Sequence, residues 1–133
     1  MADLSQTAAN VRARSATVLV IGQAGETITP GMPLYEAASK LYKSLNTTAA
    51  NAAAKGVAVS YADLNDQVTY LKSGTLDPGA TATQGETYVV TDTAGLIGII
   101  GDRGSGDFVT VLGTGRSDGD IEVSIKASGI AKA

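Results

Sequence analysis

The apolar residues of this chain fall into short runs that alternate with polar residues and are separated by glycine-rich turns. The first run, at residues 17–21, is rich in β-branched side chains and is closed by Gly22. β-branched residues favour strands, and a run of this kind bounded by glycine is typical of a strand. The pattern therefore predicts a first strand that begins at Thr17.

The segment before Thr17 has a different pattern. Residues 1–15 are mostly small and polar, and Leu4 and Val11 are the large apolar side chains that follow the initial Met. A short helix is marginal in water by itself, and a terminal segment with few apolar groups has little to bury. We predict that residues 1–16 form a flexible, extended N-terminal arm and that residues 17–133 form a single β-rich domain.

Further runs along the chain predict paired strands joined by short turns. Two hairpins are expected, followed by a last strand with Ile121, Val123 and Ile125 on one face. Short apolar runs bounded by Gly, Asn and Asp are typical of hairpins. The predicted strands lie at residues 57–61, 68–71, 99–100, 108–112 and 120–128.

Residues 33–45 are compatible with a hairpin or with a helix. Leu34 and Tyr35 precede a small-residue turn and Leu41 and Tyr42 follow it, whereas Ala, Glu, Lys and Leu also favour helices. We favour the hairpin, because the second half of the chain contains a similar strand-like segment. Residues 45–56 lack a periodic apolar face and predict a surface loop with room for a helical turn.

The turn pattern GxTxTxG occurs twice in the chain. It reads GETITPG at residues 25–31 and GATATQG at residues 79–85, which is 79 − 25 = 54 positions later. Glycine permits positive φ and Pro30 fixes its own φ, so the pattern specifies a turn, although such turns also recur by chance. The segments DQVTYLKSG and DFVTVLGTG align as well, from Asp66 and Asp107. Two similar halves predict a small antiparallel β-barrel or sandwich, because the edges that each half leaves unpaired can then close.

The composition excludes several classes of function but does not identify one. The chain has 133 residues, 44% hydrophobic but only 5% aromatic, so one domain with an aliphatic core is expected. A net charge of −3 gives no general attraction for nucleic acid or an anionic membrane. The longest apolar run, GLIGIIG, is too short to span a bilayer, and the N-terminus lacks the pattern of a signal peptide. We therefore expect a soluble protein without nucleic-acid or membrane partners.

Candidate chemistry is sparse. The chain has no Cys and no His, which removes thiol chemistry, the commonest general base and the commonest metal ligand. GLIGIIG lacks the Lys and Ser or Thr of a phosphate-binding loop. Asp118, Asp120 and Glu122 offer oxygen ligands for Ca²⁺ but lack the EF-hand spacing, so a solvated turn is the favoured interpretation. We predict no enzyme activity, no catalytic residue, no metal, no cofactor and no small-molecule substrate.

Several segments, in this order, resemble the head decoration proteins of tailed bacteriophages, which are also called capsid cement proteins. The resemblance covers roughly residues 17–125, and within and beyond its end the C-terminal segment GRSDGDIEVSIKASGIAKA departs from the pattern of the group. It is carried by AGETITPGMPLY, KGVAVSYADLNDQVTYLKSGTL and TATQGETYVVTDTAGLIGIIG.

The resemblance implies a virion structural protein. Proteins of this group bind the outer surface of a phage capsid, often as homotrimers, and stabilise contacts between major capsid subunits. This chain would accordingly be made in the host cytoplasm and reside on the outer capsid surface. In such proteins the N-terminal arm is commonly ordered only on the shell, which makes Leu4, Val11, Arg12 and Arg14 the candidate capsid-binding residues. The two arginines are also compatible with simple solvation at a flexible terminus.

Two other classes of function stay open. One is a small β-sandwich module that binds or hydrolyses carbohydrate, since a pair of carboxylates can hydrolyse glycosides without His. Such modules generally present exposed aromatic rings, and this chain has no Trp and 5 Tyr. The other is a tail or fibre component of the virion, which differs from a head protein in its location on the particle.

Overall fold

The computed structural model describes Leu4, residues 6–100 and residues 107–131, without the side chains of residues 16–17 and 128–131. Strands account for 52% of the described residues and helices for 7%, which confirms the all-β class. A 3-10 turn at Ala8–Asn10 precedes the first strand. The strands are β1 (Val11–Gln23), β2 (Pro33–Ala37), β3 (Lys40–Lys43), β4 (Gly56–Ala58), β5 (Gln67–Pro78), β6 (Thr87–Val90), β7 (Ile97–Ile99), β8 (Phe108–Gly115) and β9 (Ile121–Ala131), and one helix, α1 (Ala49–Ala52), lies between β3 and β4.

All nine described strands belong to one antiparallel sheet. Its order is β3-β2-β4-β5-β9-β8-β6-β7, and β1 pairs with β5 outside this path. β5 is the central strand, because β1 covers one of its edges along its whole length and β4 and then β9 cover the other. The sheet curls into a half-barrel, in agreement with the predicted small antiparallel barrel or sandwich.

The chain repeats one strand arrangement, with β5 shared by both halves. In the first half β1 pairs with β5, β2 pairs with β3 and β4, and β4 pairs with β5. In the second half β5 pairs with β9, β6 pairs with β7 and β8, and β8 pairs with β9. The halves are therefore similar in topology, with β1 equivalent to β5 and β5 equivalent to β9.

The two GxTxTxG turns share a hydrogen bond to a later turn and a final glycine with positive φ. Their middle residues, Ile28 and Ala82, are buried, and each donates its N–H to the carbonyl of a later turn, Ala62 at 2.8 Å and Gly119 at 2.9 Å. Their last glycines both have positive φ. By contrast, the predicted alignment of residues 66–74 with 107–115 is wrong as a structural equivalence, because it matches β5 with β8. Alternating apolar residues indicate strand character but not a place in the sheet.

The first strand begins at Val11, so the predicted boundary between arm and domain at residue 16 falls inside β1. Val11 lies opposite Pro78 in the sheet, and its side chain is 7% exposed. The preceding residues also contact the domain, since the N–H of Thr7 donates to Gly79 at 2.9 Å. β5 is long enough to pair with the residues from Val11 onward. The sequence before Thr17 does not reveal this partner.

The hairpin predicted at residues 33–45 is confirmed, and the competing helix is wrong. β2 and β3 are joined through Ala38 and Ser39, whose φ angles are 51° and 66°. Positive φ at both central residues is the geometry of a tight hairpin turn that matches the twist of its strands. The rings of Tyr35 and Tyr42 stack across the hairpin, 5.7 Å apart. The loop predicted to follow contains α1, which Thr48 caps by accepting the Asn51 N–H at 3.2 Å.

The buried side chains form two clusters that meet at β5. β5 contributes Leu71 and Leu76 to the first cluster and Val68 and Tyr70 to the second. Tyr70 and Tyr88 are the buried aromatic residues in the described part of the chain. The core is therefore mainly aliphatic, as the composition predicts.

Candidate functional site

The outer edge of β1 is the longest strand edge left uncovered in the described part of the chain. β1 pairs with β5 from Val11 to Gln23. It has no second neighbouring strand among the described residues, and an isolated bridge to Leu41 occurs only after its end, at Ala24. Its backbone groups on the side away from β5 are therefore open to pairing.

The ends of the sheet are protected in a different way. Along β3, the N–H of Gly25 donates to the carbonyl of Leu41 and the Glu26 carboxylate accepts from the N–H of Lys43, both at 2.8 Å. Along β7, the N–H of Leu4 donates to the carbonyl of Ile97 at 2.7 Å. Proteins commonly cover strand edges to prevent pairing with other chains. The open edge of β1 contrasts with this protection.

β1 also exposes three large apolar side chains, which we call the β1 patch. Val18 is 40%, Leu19 49% and Ile21 64% exposed. Leu19 lies opposite the fully buried Leu71, which in turn lies opposite Val57. The β1 patch therefore lies on the same face of the sheet as the first core cluster. Its side chains are exposed, whereas those of the cluster are buried.

The backbone of β1 is irregular beside the β1 patch. The register with β5 shifts between Ala16 and Val18 and again between Val18 and Leu19. Such bulges bend a strand and redirect its side chains, often next to functional sites. Here Val18 lines a cavity of about 250 Å³ together with Lys72, Ser73, Ser124 and Ile125. A partner side chain can enter at this point.

Ion pairs connect the N-terminal half of β1 to two other elements. Arg14 lies 2.9 Å from the Asp77 carboxylate of β5 and 3.2 Å from the Asp120 carboxylate of the β8–β9 turn. Arg12 lies farther away, 3.9 Å from Asp77. Burial raises the pKa of Asp120, the charge of Asp118 raises it further, and Arg14 acts in the opposite direction. The cluster links β1, β5 and the β8–β9 turn.

The acidic turn that offered possible Ca²⁺ ligands has arginine partners instead. Arg116 lies 3.5 Å from Asp118 and 2.8 Å from Glu122. Asp118 accepts the N–H of Asp120 at 3.1 Å, and this bond, with Arg116, lowers the pKa of Asp118. Among the described residues no group of three or more His, Cys, Asp or Glu is placed to hold a metal ion.

The four candidate capsid-binding residues do not form one free surface. Leu4 is half-buried and packs against the first core cluster, of which Val11 is a member. The side chains of Arg12 and Arg14 are 60% and 51% exposed, but both pair with carboxylates of the same chain. The apolar side chains of this segment therefore have intramolecular contacts, and the capsid-binding role of the four residues stays a prediction.

Sequence reasoning missed the β1 patch, although the sequence contains a signal for it. Residues 18–21 read VLVI, so apolar side chains point to both faces of β1. Val20 packs against the second core cluster, which leaves its neighbours on the opposite face. A strand that is apolar on both faces is expected in the middle of a covered sheet. At an edge, the same pattern indicates a binding surface.

Comparison of the chain with protein-family models, with curated proteins and with solved structures finds no match. In the part of the chain that the structure describes, no helix is long and apolar enough to cross a membrane.

Proposed function

We propose that this chain is a virion structural protein that binds the outer surface of a phage capsid and stabilises contacts between major capsid subunits. The resemblance of residues 17–125 to capsid cement proteins suggests this role. The observation that carries the proposal is the open outer edge of β1 with its exposed β1 patch. An adhesive structural protein requires such a surface, whereas a folded domain by itself does not.

The contact would form by strand addition. An extended segment of the major capsid protein pairs with the outer edge of β1, where main-chain hydrogen bonds supply affinity and side-chain pockets supply specificity. The segment covers Leu19 and Ile21 and places one side chain in the cavity beside Val18. This arrangement uses both the backbone edge and the apolar side chains of β1.

Bridging of capsid subunits requires more than one contact. The described part of each chain offers one open edge of this length, so a single copy engages one strand of the shell. A homotrimer supplies three such edges around a threefold axis, and linked contacts bind far more tightly than separate ones. We therefore include a homotrimer on the capsid in the proposal.

The test is binding to capsids that lack the protein, measured by co-sedimentation. Leu19→Glu and Ile21→Glu should each weaken binding at least about tenfold, because a charge would be buried in an apolar contact. Leu64→Glu serves as the matched control, since Leu64 is 58% exposed but lies on the loop before β5. Its binding should equal that of the unmodified chain.

Two results would contradict the proposal. If Leu19→Glu and Ile21→Glu bind capsids as tightly as the control, the β1 patch is not the contact. Electron microscopy of decorated capsids provides the second check, with density of this protein expected on the outer surface at threefold positions. Density confined to the tail would favour the tail or fibre alternative.

A further inference from the structure

A second surface feature lies between the first GxTxTxG turn and the loop before β5. It is a cleft of about 150 Å³ lined by Thr27, Ile28, Thr29, Tyr61, Ala62, Asp63 and Asp66. Its floor is rigid, because the N–H of Ile28 donates to Ala62 at 2.8 Å and the N–H of Ala62 donates back at 3.0 Å. Both floor side chains are buried. We call this feature the Tyr61 cleft.

The rim of the Tyr61 cleft combines an exposed ring with free polar groups. Tyr61 is 61% exposed, although large aromatic side chains are usually well covered. The hydroxyls of Thr27 and Thr29 and the carboxylate of Asp63 have no hydrogen-bond partner among the described residues. Asp66 accepts the Asp63 N–H at 3.2 Å and so holds the acidic side of the rim in place.

Comparison with the second GxTxTxG turn shows which features of the Tyr61 cleft belong to the shared turn geometry. There Ala82 takes the place of Ile28, and its N–H bonds to Gly119 in the same way. The adjoining turn, residues 116–120, contains no aromatic residue. Its Asp118 is engaged by Arg116 and by the Asp120 N–H. The ring and the free carboxylate of the Tyr61 cleft are therefore additions to the shared turn geometry.

We propose that the Tyr61 cleft binds one pyranose ring of a neutral carbohydrate. The face of Tyr61 supplies an apolar surface for the face of the sugar ring, and its hydroxyl supplies a polar tip. The threonine hydroxyls donate and accept, and the carboxylates of Asp63 and Asp66 accept from sugar hydroxyls. A space of about 150 Å³ accommodates one six-membered ring.

The charge of the cleft selects among carbohydrates. Two carboxylates line it and no Lys or Arg does. An anionic sugar would therefore meet repulsion without a compensating cation. The expected ligands are uncharged hexose or N-acetylhexosamine units of a polysaccharide. The proposal does not depend on capsid binding, because the β1 patch takes no part in it.

The test is a titration followed by nitrogen–proton correlation NMR, with maltohexaose, cellohexaose and chitohexaose as neutral probes and a hyaluronan hexasaccharide as the anionic probe. At least one neutral probe should cause saturable shifts at residues 27–29 and 61–66, with a Kd of about 1 mM. The anionic probe should cause none. If no neutral probe shifts these residues at about 10 mM, the proposal is overturned.

Variants at equivalent positions of the two turns provide the control. Tyr61→Ala should weaken binding of the responding probe at least about tenfold, and Tyr61→Phe should keep most of the affinity because the ring remains. Thr27→Ala should weaken binding, whereas Thr81→Ala, 54 positions later in the second turn, should not. Unchanged binding by Tyr61→Ala, with the rest of its spectrum intact, would also overturn the proposal.

Discussion

Val11 offers a sharp test of where the folded domain begins. The sequence pattern places it in a flexible arm, whereas the structure places it in β1, opposite Pro78. Its side chain is 7% exposed and belongs to the first core cluster. Truncating this side chain to Ala therefore distinguishes a strand of the domain from a flexible arm.

The expected loss follows from the burial of the side chain. Val11→Ala removes two methyl groups, each worth about 0.8 kcal/mol on burial, and the space left behind adds a smaller cost. The free energy of unfolding should fall by about 2 kcal/mol. For a chain of this length, the melting temperature should fall by roughly 4–8 °C.

The measurement is urea unfolding followed by circular dichroism. Asn10→Ala is the matched control, because its side chain is exposed and it lies directly before β1. Its stability should stay within about 0.5 kcal/mol of the unmodified chain. If Val11→Ala is as stable as this control and the urea dependence is unchanged, the placement of Val11 in the core is refuted.

Two further predictions concern charge and backbone packing. The pKa of Asp120 is raised in the folded chain, so the folded state binds the proton of this carboxyl more tightly than the unfolded state. The free energy of unfolding should therefore decline as pH rises from the unfolded pKa of about 3.9 towards the folded pKa. Urea unfolding across this pH range should show a weaker decline in stability for Asp120→Asn than for the unmodified chain. An equal decline in the two proteins would exclude Asp120 as the source. Gly115→Ala would place a methyl group against the backbone of Thr83 and should cost more than about 3 kcal/mol in thermal unfolding. At Gly85 there is open space for a methyl group but φ is 84°, so Gly85→Ala should lower the free energy of unfolding by about 1 kcal/mol. Equal losses of stability in the two variants would argue against the close approach at Gly115.

The sequence by itself determined the features that depend on neighbouring residues. The two GxTxTxG turns, the hairpin at residues 33–45 and the aliphatic core are readable from residue type and spacing. Gly31 and Gly85 adopt the positive φ that glycine permits. These features are local, because a turn or a strand preference acts over a few residues.

The N-terminal segment shows where local reasoning stops. Residues 11–14 read VRAR, an alternation that fits a strand with Val11 and Ala13 inward. The pattern is too short to predict a strand by itself. Its strand character depends on β5, a partner more than fifty residues later in the chain, and on the ion pairs of Arg14 with Asp77 and Asp120.

Only the tertiary structure decided which surfaces stay open. The run at residues 18–21 is equally compatible with a central strand, and its exposure follows from the absence of a described strand beyond β1. The Tyr61 cleft likewise exists because Ile28 and Ala62, distant in sequence, form a bridge. Exposure is a property of what lies next to a side chain in space. Strand order sets those neighbours, and alternating residues do not encode strand order.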